Sequence, residues 1–231
     1  MSIWDRIEAF LEEARRRTLG ALLEVLAEQK QRRDDIAFSI ALIALSAKMA
    51  KADGVVTDDE IAAFKEFFDY PETEADKVRM IYQLAQQDVA GFDAYLRRVA
   101  RMFADEPIVL EDVLDCLFYV AAADGVAHPG ELELLNLAAK TFNIGPEAYG
   151  RLKAAHLGLG EDDPHVILGV EIGADLETIK TAYRQLARDH HPDALIARGV
   201  PAHLARIAER RLAAVNEAYE RIVSERRRGQ L

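Results

Sequence analysis

Apolar residues recur at steps of three and four along almost the whole chain, which is the spacing of a buried helix face. The pattern is clear near the N-terminus, where Leu19, Leu22 and Leu26 follow one another at these steps. The sequence lacks period-2 runs of β-branched residues bounded by turns, which would indicate strands. We therefore expect an all-α protein. Helices are predicted at about 3–30, 36–51, 58–68, 74–87, 91–104, 108–122 and 131–142.

A stretch of eleven residues occurs twice within the predicted helices. Residues 50–60 read AKADGVVTDDE and residues 121–131 read AAADGVAHPGE, with six identical positions at an offset of 71. Each copy follows an apolar helix and precedes another one. A repeated helix–turn–helix unit predicts a pseudo-symmetric helical bundle in which two hairpins pack face to face.

The composition of the chain changes near residue 160. Residues 157–163 read LGLGEDD and are followed by Pro164, a combination typical of a linker. From Asp163 onward the sequence has 11 basic and 10 acidic residues, whereas the preceding part has 18 and 30. We expect a helical bundle over 1–156, a linker over 157–163 and a second domain over 164–231. The net charge of -11 disfavours nucleic acid as a partner.

Two antiparallel helices joined by a loop are predicted in the C-terminal part. Asp175 is expected to cap a helix that runs to about residue 190, and Lys180, Arg184 and Arg188 share one face of it. The tripeptide 191–193 ends this helix, because proline disfavours helical geometry at the residue before it. A loop of about ten residues then leads to a last helix with an apolar face. This face consists of Leu204, Ala208, Leu212, Val215 and Ile222.

Four blocks in this part resemble the J-domain of DnaJ-type co-chaperones. They are Leu168-Gly169-Val170, residues 179–187 (IKTAYRQLA), the tripeptide His191-Pro192-Asp193 and residues 216–220 (NEAYE), in the order and spacing of the family. The resemblance implies a small helical-hairpin domain that docks on a DnaK-type 70-kDa heat-shock chaperone and stimulates its ATPase. It implies neither enzyme activity nor a cofactor for the chain itself.

The resemblance also assigns roles to residues by position. His191, Pro192 and Asp193 would signal to the ATPase of the chaperone. The chaperone-binding face would consist of Lys180, Tyr183, Arg184 and Arg188. Gln185 and Ala194 stand where the family often has Lys or Arg, so we expect affinity or partner choice to differ.

The paired Ala-Asp-Gly-Val motifs resemble the TerB-like helical domain, named after tellurite-resistance proteins, most clearly over residues 30–145. A TerB-like domain followed by a J-domain is similar to DjlA-type co-chaperones. This implies that the bundle selects unfolded client proteins, a partner or a location. Those proteins typically begin with a membrane-spanning segment, whereas the longest apolar run here, Ile36 to Ala47, has 12 residues against the roughly 20 required. We expect a buried helix there and a cytoplasmic protein.

The Asp-Gly…Glu spacing of both repeats leaves a second hypothesis open. An EF-hand loop has Gly at position 6 and a bidentate Glu at position 12, and Asp53 to Glu60 and Asp124 to Glu131 reproduce that half. The first half is not acidic, so turns and helix caps are the favoured interpretation. If pseudo-symmetry brings the four carboxylates together, the bundle is a stress or metal-response sensor and the J-domain recruits the chaperone. An enzyme that uses His190, His191 and Asp193 is a third, disfavoured hypothesis.

Overall fold

The structure, a computed structural model, describes residues 5–7, 9, 35–49, 51, 66, 76, 79–80, 82–83, 91–123, 127–157 and 164–228. The regular elements in these ranges are helices, and no strand occurs in them, as predicted. The helices are α1 (Asp35–Met49), α2 (Phe92–Met102), α3 (Pro107–Ala121), α4 (Pro129–Thr141), α5 (Pro146–Leu157), α6 (Pro164–Leu168), α7 (Leu176–Asp189), α8 (Pro192–Ala197) and α9 (Arg206–Arg227), with a 3-10 turn at Ala202–Leu204.

The predicted helix positions agree with α1 to α4 to within two residues at each end. The helix α5 has no counterpart among the predictions, although Gly145 and Pro146 form a helix-start signal in front of it. The helices predicted at 58–68 and 74–87 and the first copy of the repeat lie largely outside the described residues, and so does most of the first predicted helix.

Most of the helix α1 is buried, as its apolar sequence predicts. Residues 37–47 are at most 2% exposed, including the two serines, Ser39 and Ser46. Helices α2 and α3 pack against it. Within the described ranges, no helix combines the length and apolar character needed to cross a membrane.

The helix α3 is the centre of the structure. It contacts α1, α4 and α5 in the N-terminal bundle and also α9 in the C-terminal domain. Eleven of its side chains are buried, and two of these are carboxylates, Asp112 and Asp115. Because the two residues are three apart, they lie on the same face of the helix.

The apolar core of the bundle continues into the C-terminal domain. The larger cluster of buried residues includes five from residues 195–208 of that domain, namely Leu195, Val200, Leu204, Ile207 and Ala208. A smaller cluster lies between α6, α7 and α9 and consists of Leu168, Ile179, Val215, Ala218 and Ile222. The part of the C-terminal domain between α6, α7 and α9 thus has a core of its own, whereas residues 195–208 share the core of the bundle.

Gly169 and Asp175 determine where α6 ends and where α7 begins. Gly169 has a φ of +67°, a left-handed conformation that favours glycine and that ends α6. A Cβ atom at Gly169 would lie 3.4 Å from the side chain of Arg151 in α5. The predicted cap of α7 is confirmed, because the backbone N–H of Thr178 donates to Asp175 Oδ1 at 2.7 Å.

Candidate functional site

The helix α7 presents the predicted basic face to solvent. Arg184 and Arg188 are exposed, and the described part of the chain offers them no ion-pair partner. Lys180 is half-buried and pairs with Glu177 at 3.0 Å on the same helix. The opposite side of α7 is held by Ile179, which is fully buried against α6 and α9. Two of the three predicted basic groups are therefore available to an acidic partner.

The tripeptide 191–193 lies at the N-terminus of a short helix rather than in an open loop. Pro192 is the first residue of α8, and His191 precedes it as the cap. The Nδ1 atom of His191 accepts a hydrogen bond from the backbone N–H of Asp193 at 3.2 Å. The predicted loop of about ten residues is thus wrong in detail, since α8 and the 3-10 turn at Ala202–Leu204 occupy much of it. A cap residue followed by proline favours the start of a helix at this point.

The side chains of His191 and Asp193 in the tripeptide point to solvent. The side chain of His191 is 51% exposed and that of Asp193 is 90% exposed. A distance of 3.8 Å separates Nδ1 of His191 from the carboxylate of Asp193, which is beyond hydrogen-bonding distance. The carboxylate of Asp193 is therefore free to accept hydrogen bonds from another protein.

Tyr183 joins two of the sequence blocks. Its ring stacks on Tyr219 in α9 with 4.2 Å between the ring centroids. Its hydroxyl donates to Oδ1 of Asn216 at 3.1 Å. The stretches 179–187 and 216–220 are thus packed against each other, and Tyr183 has a structural role in addition to the predicted contact role.

His190 lies next to the tripeptide but faces the opposite way. It is 3% exposed and its Nδ1 atom lies 2.6 Å from Oδ1 of Asp112 in α3, which is 1% exposed. Burial raises the pKa of Asp112, and the hydrogen bond with His190 opposes that shift only in part. The two adjacent histidines therefore do not form one site, because His190 is enclosed and His191 is exposed.

A buried ion pair connects α9 to α3. Arg211 is 3% exposed, and its guanidinium lies 2.9 Å from Asp115 and 3.4 Å from Glu111. His156 of α5 lies 3.0 Å from the same oxygen of Asp115. Burial alone would raise the pKa of Asp115, but Arg211 and His156 outweigh it and hold the pKa at about 2. The carboxylate of Asp115 is therefore charged at neutral pH and is neutralised from the C-terminal domain.

Further polar contacts flank these two pairs. Arg198 lies 3.6 Å from Glu106 at the start of α3 and also donates to the backbone carbonyl of Asp189. Arg210 lies over the ring of Tyr119, 3.6 Å from its centroid, and pairs with Glu66. We call the contacts of residues 190 and 195–211 with the bundle the seam.

The candidate metal ligands are described only in part. Glu131 is 3% exposed, and its carboxylate accepts a hydrogen bond from the backbone N–H of His128 at 2.8 Å, so it caps the start of α4. Asp53, Glu60 and Asp124 lie outside the described residues. In the ranges that the structure covers, no three His, Cys, Asp or Glu side chains are grouped as metal ligands.

Two family models match the chain in the order that the sequence indicated. Residues 39–154 match the model of the tellurite resistance protein TerB, and residues 163–231 match the DnaJ domain. The chain belongs to the TerB family and carries a DnaJ domain. The described helices α1 to α5 lie largely in the TerB domain, and α6 to α9 lie in the DnaJ domain.

Curated relatives match this chain over most of their length. The chain is 24% identical over 233 residues to a protein named co-chaperone protein DjlA from Aliivibrio fischeri, covering 87% of this chain and 82% of the relative. It is 26% identical over 215 residues to a protein of the same name from Photobacterium profundum, covering 82% and 78%. A DjlA-like order of a TerB domain and a DnaJ domain is thus established. No solved structure matches the chain.

The sequence-based predictions missed the polar residues of the seam. A signal for Arg211 was present, since residues 208, 211, 215, 218 and 222 follow the helical spacing of the buried face of α9. Asp112 and Asp115 likewise interrupt an apolar helix at a spacing of three. A charged residue at a position where the pattern requires an apolar one indicates a buried ion pair, because isolated buried charges are too costly.

Proposed function

We propose that this protein is a co-chaperone that docks through its DnaJ domain on a DnaK-type 70-kDa heat-shock chaperone and stimulates the ATPase of that chaperone. The chain itself performs no chemistry in this proposal. The TerB domain selects unfolded client proteins, a partner or a location. The alternative of a metal-response sensor has no support from the described residues, and we do not propose it.

The observation that carries the proposal is the placement of an exposed tripeptide next to an exposed basic helix. The carboxylate of Asp193 can accept two hydrogen bonds from an arginine of the partner, and such charge-assisted pairs are short and strong. Proline at position 192 restricts the backbone there, so little conformational entropy is lost on binding. The cations of Arg184 and Arg188 steer the encounter with an acidic surface.

The test is single-turnover ATP hydrolysis by a DnaK-type chaperone in the presence of this protein. Wild-type protein is expected to raise the rate, and Asp193→Asn is expected to abolish the increase. The substitution keeps the shape of the side chain and removes its charge, so the charge-assisted bond is lost while the fold remains. Substitution at a site this exposed should change the free energy of unfolding by no more than about 0.5 kcal/mol, as measured by circular dichroism.

Glu171→Gln provides the matched control. Glu171 is another exposed carboxylate of the DnaJ domain, in the turn between α6 and α7. This variant is expected to stimulate as the wild type does. Full stimulation by Asp193→Asn, or an equal loss in both variants, would contradict the role assigned to the tripeptide.

A further inference from the structure

The exposed tripeptide lies between two anchors that are buried in the TerB domain. On one side, His190 is 3% exposed and is bonded to Asp112 of α3 at 2.6 Å. On the other side, Leu195 is 1% exposed and belongs to the core of the TerB domain. The backbone from 191 to 194 therefore spans a short distance between two points that α3 and its neighbours hold in place.

A third contact with the TerB domain lies at the C-terminal end of α8. The guanidinium of Arg198 donates to the backbone carbonyl of Asp189 and lies 3.6 Å from Glu106 of the TerB domain. The end of α7, the end of α8 and the start of α3 are thus connected by one side chain. The position of the tripeptide is set by the TerB domain on both sides.

The pair of Asp112 and His190 is not explained by stability alone. Oδ2 of Asp112 is buried and has no hydrogen-bond partner among the described residues. A buried carboxylate with one hydrogen bond is costly, and well-packed apolar residues in place of such a pair are often neutral or stabilising. A directional bond has a different effect from apolar packing, since it fixes the orientation of the residue that makes it. Here that residue is directly before His191.

We propose that Asp112 and His190 are positioning residues for the tripeptide, and that the TerB domain thereby forms part of the effector site of the DnaJ domain. The inference rests on the proposed stimulation of a DnaK-type ATPase. Neither residue contacts the chaperone. Their bond holds the backbone at residue 190 so that His191 and Asp193 meet the chaperone in one orientation.

The main test replaces the pair by apolar residues in the full chain. The variant Asp112→Leu/His190→Leu removes the bond without leaving a charge unpaired, so the protein is expected to remain as stable as the wild type in urea unfolding. The maximal stimulated rate of the chaperone is expected to fall by about tenfold or more, because small displacements of a positioned group reduce rates strongly. The concentration for half-maximal stimulation should stay within about threefold, because the basic face of α7 is unchanged.

A second pair of variants isolates the hydrogen bond itself. Asp112→Asn keeps an acceptor for His190, whereas Asp112→Asn/His190→Leu keeps the same amide and loses the bond. Rates are divided by the folded fraction measured by circular dichroism, so that partial unfolding of either variant is accounted for. We expect Asp112→Asn to stimulate nearly as well as the wild type and the double variant to lose about tenfold of the maximal rate.

The outcomes separate this inference from the proposed function. If the wild type stimulates no better than Asp193→Asn, the proposed function fails and the inference fails with it. If the wild type stimulates and both double variants match it, the pair is only structural and the inference alone is wrong. A loss confined to the half-maximal concentration would also overturn the inference, since it would place the two residues in binding rather than in positioning.

Discussion

Replacement of Arg211 by methionine gives the most direct test of the buried charges in the seam. Arg211→Met leaves His156 as the remaining hydrogen-bond partner of the buried Asp115 and leaves Arg151, 3.9 Å away, as the remaining ion-pair partner of Glu111. Removing one partner of a buried ion pair typically lowers the free energy of unfolding by about 3 kcal/mol or more. The loss should be partly restored in Arg211→Met/Asp115→Leu, because the second substitution removes the unpaired carboxylate.

The ion pair of Arg211 and Asp115 also predicts how the free energy of unfolding changes with pH. The pKa of Asp115 is about 2 in the folded protein, below its ordinary value of 3.8, so its contribution to stability is present above pH 4 and is lost as the pH falls towards 2. The lowered pKa adds about 2 kcal/mol to the free energy of unfolding at neutral pH. Of this contribution, about 1 kcal/mol is lost between pH 5 and pH 3. Without Arg211, burial raises the pKa of Asp115 with less opposition, so this loss is expected to be smaller. The difference in stability between wild type and Arg211→Met should therefore narrow as the pH falls.

Urea unfolding at pH 5 and pH 3, followed by circular dichroism at both pH values, measures this difference. A cost below about 1 kcal/mol for Arg211→Met at pH 5 would refute the assignment of a buried, charged pair. A difference that stays constant between the two pH values would refute the low pKa of Asp115.

Two further predictions concern the basic face and the thiol. Arg184→Ala should raise the concentration for half-maximal ATPase stimulation, and the increase should be larger at low salt. The reason is that an exposed cation acts through long-range attraction that salt screens. Arg227 is an exposed cation near the end of α9, and Arg227→Ala should leave this concentration unchanged in the same titration. Cys116 is fully buried and burial raises the pKa of its thiol well above the ordinary value, so a thiol reagent should react with it only after unfolding; fast labelling of the native protein, followed by absorbance, would contradict its place in the core.

Sequence patterns predicted the helices because local periodicity determines them. The apolar run of α1 and the spacing in α2, α3 and α4 were sufficient to place these elements to within two residues. The predicted cap at Asp175 also agrees with the structure. These features depend on neighbours along the chain, which a sequence displays directly.

The contacts between the two domains could not be predicted from local sequence patterns. The bond of His190 to Asp112 joins residues 78 positions apart, and that of Arg211 to Asp115 joins residues 96 apart. The sequence marks Asp112, Asp115 and Arg211 as charges in apolar patterns, but it does not say which charge meets which. His190 follows Ile179 and Leu186 at the spacing of the inward face of α7, but this spacing does not identify Asp112 as its partner.

The shared core has a consequence for exchanging domains between proteins. Residues 195–208 fill space in the TerB domain, and Arg211 provides the counter-charge for a carboxylate of α3. A DnaJ domain grafted from another protein at the boundary near residue 160 would have to supply matching apolar side chains and an arginine at the equivalent of position 211. A graft without them would leave a cavity and an unpaired buried anion in the recipient, although both parts were intact in their parents. Exchange is therefore expected to succeed only when the interlocking residues of α3 and α9 are transplanted together.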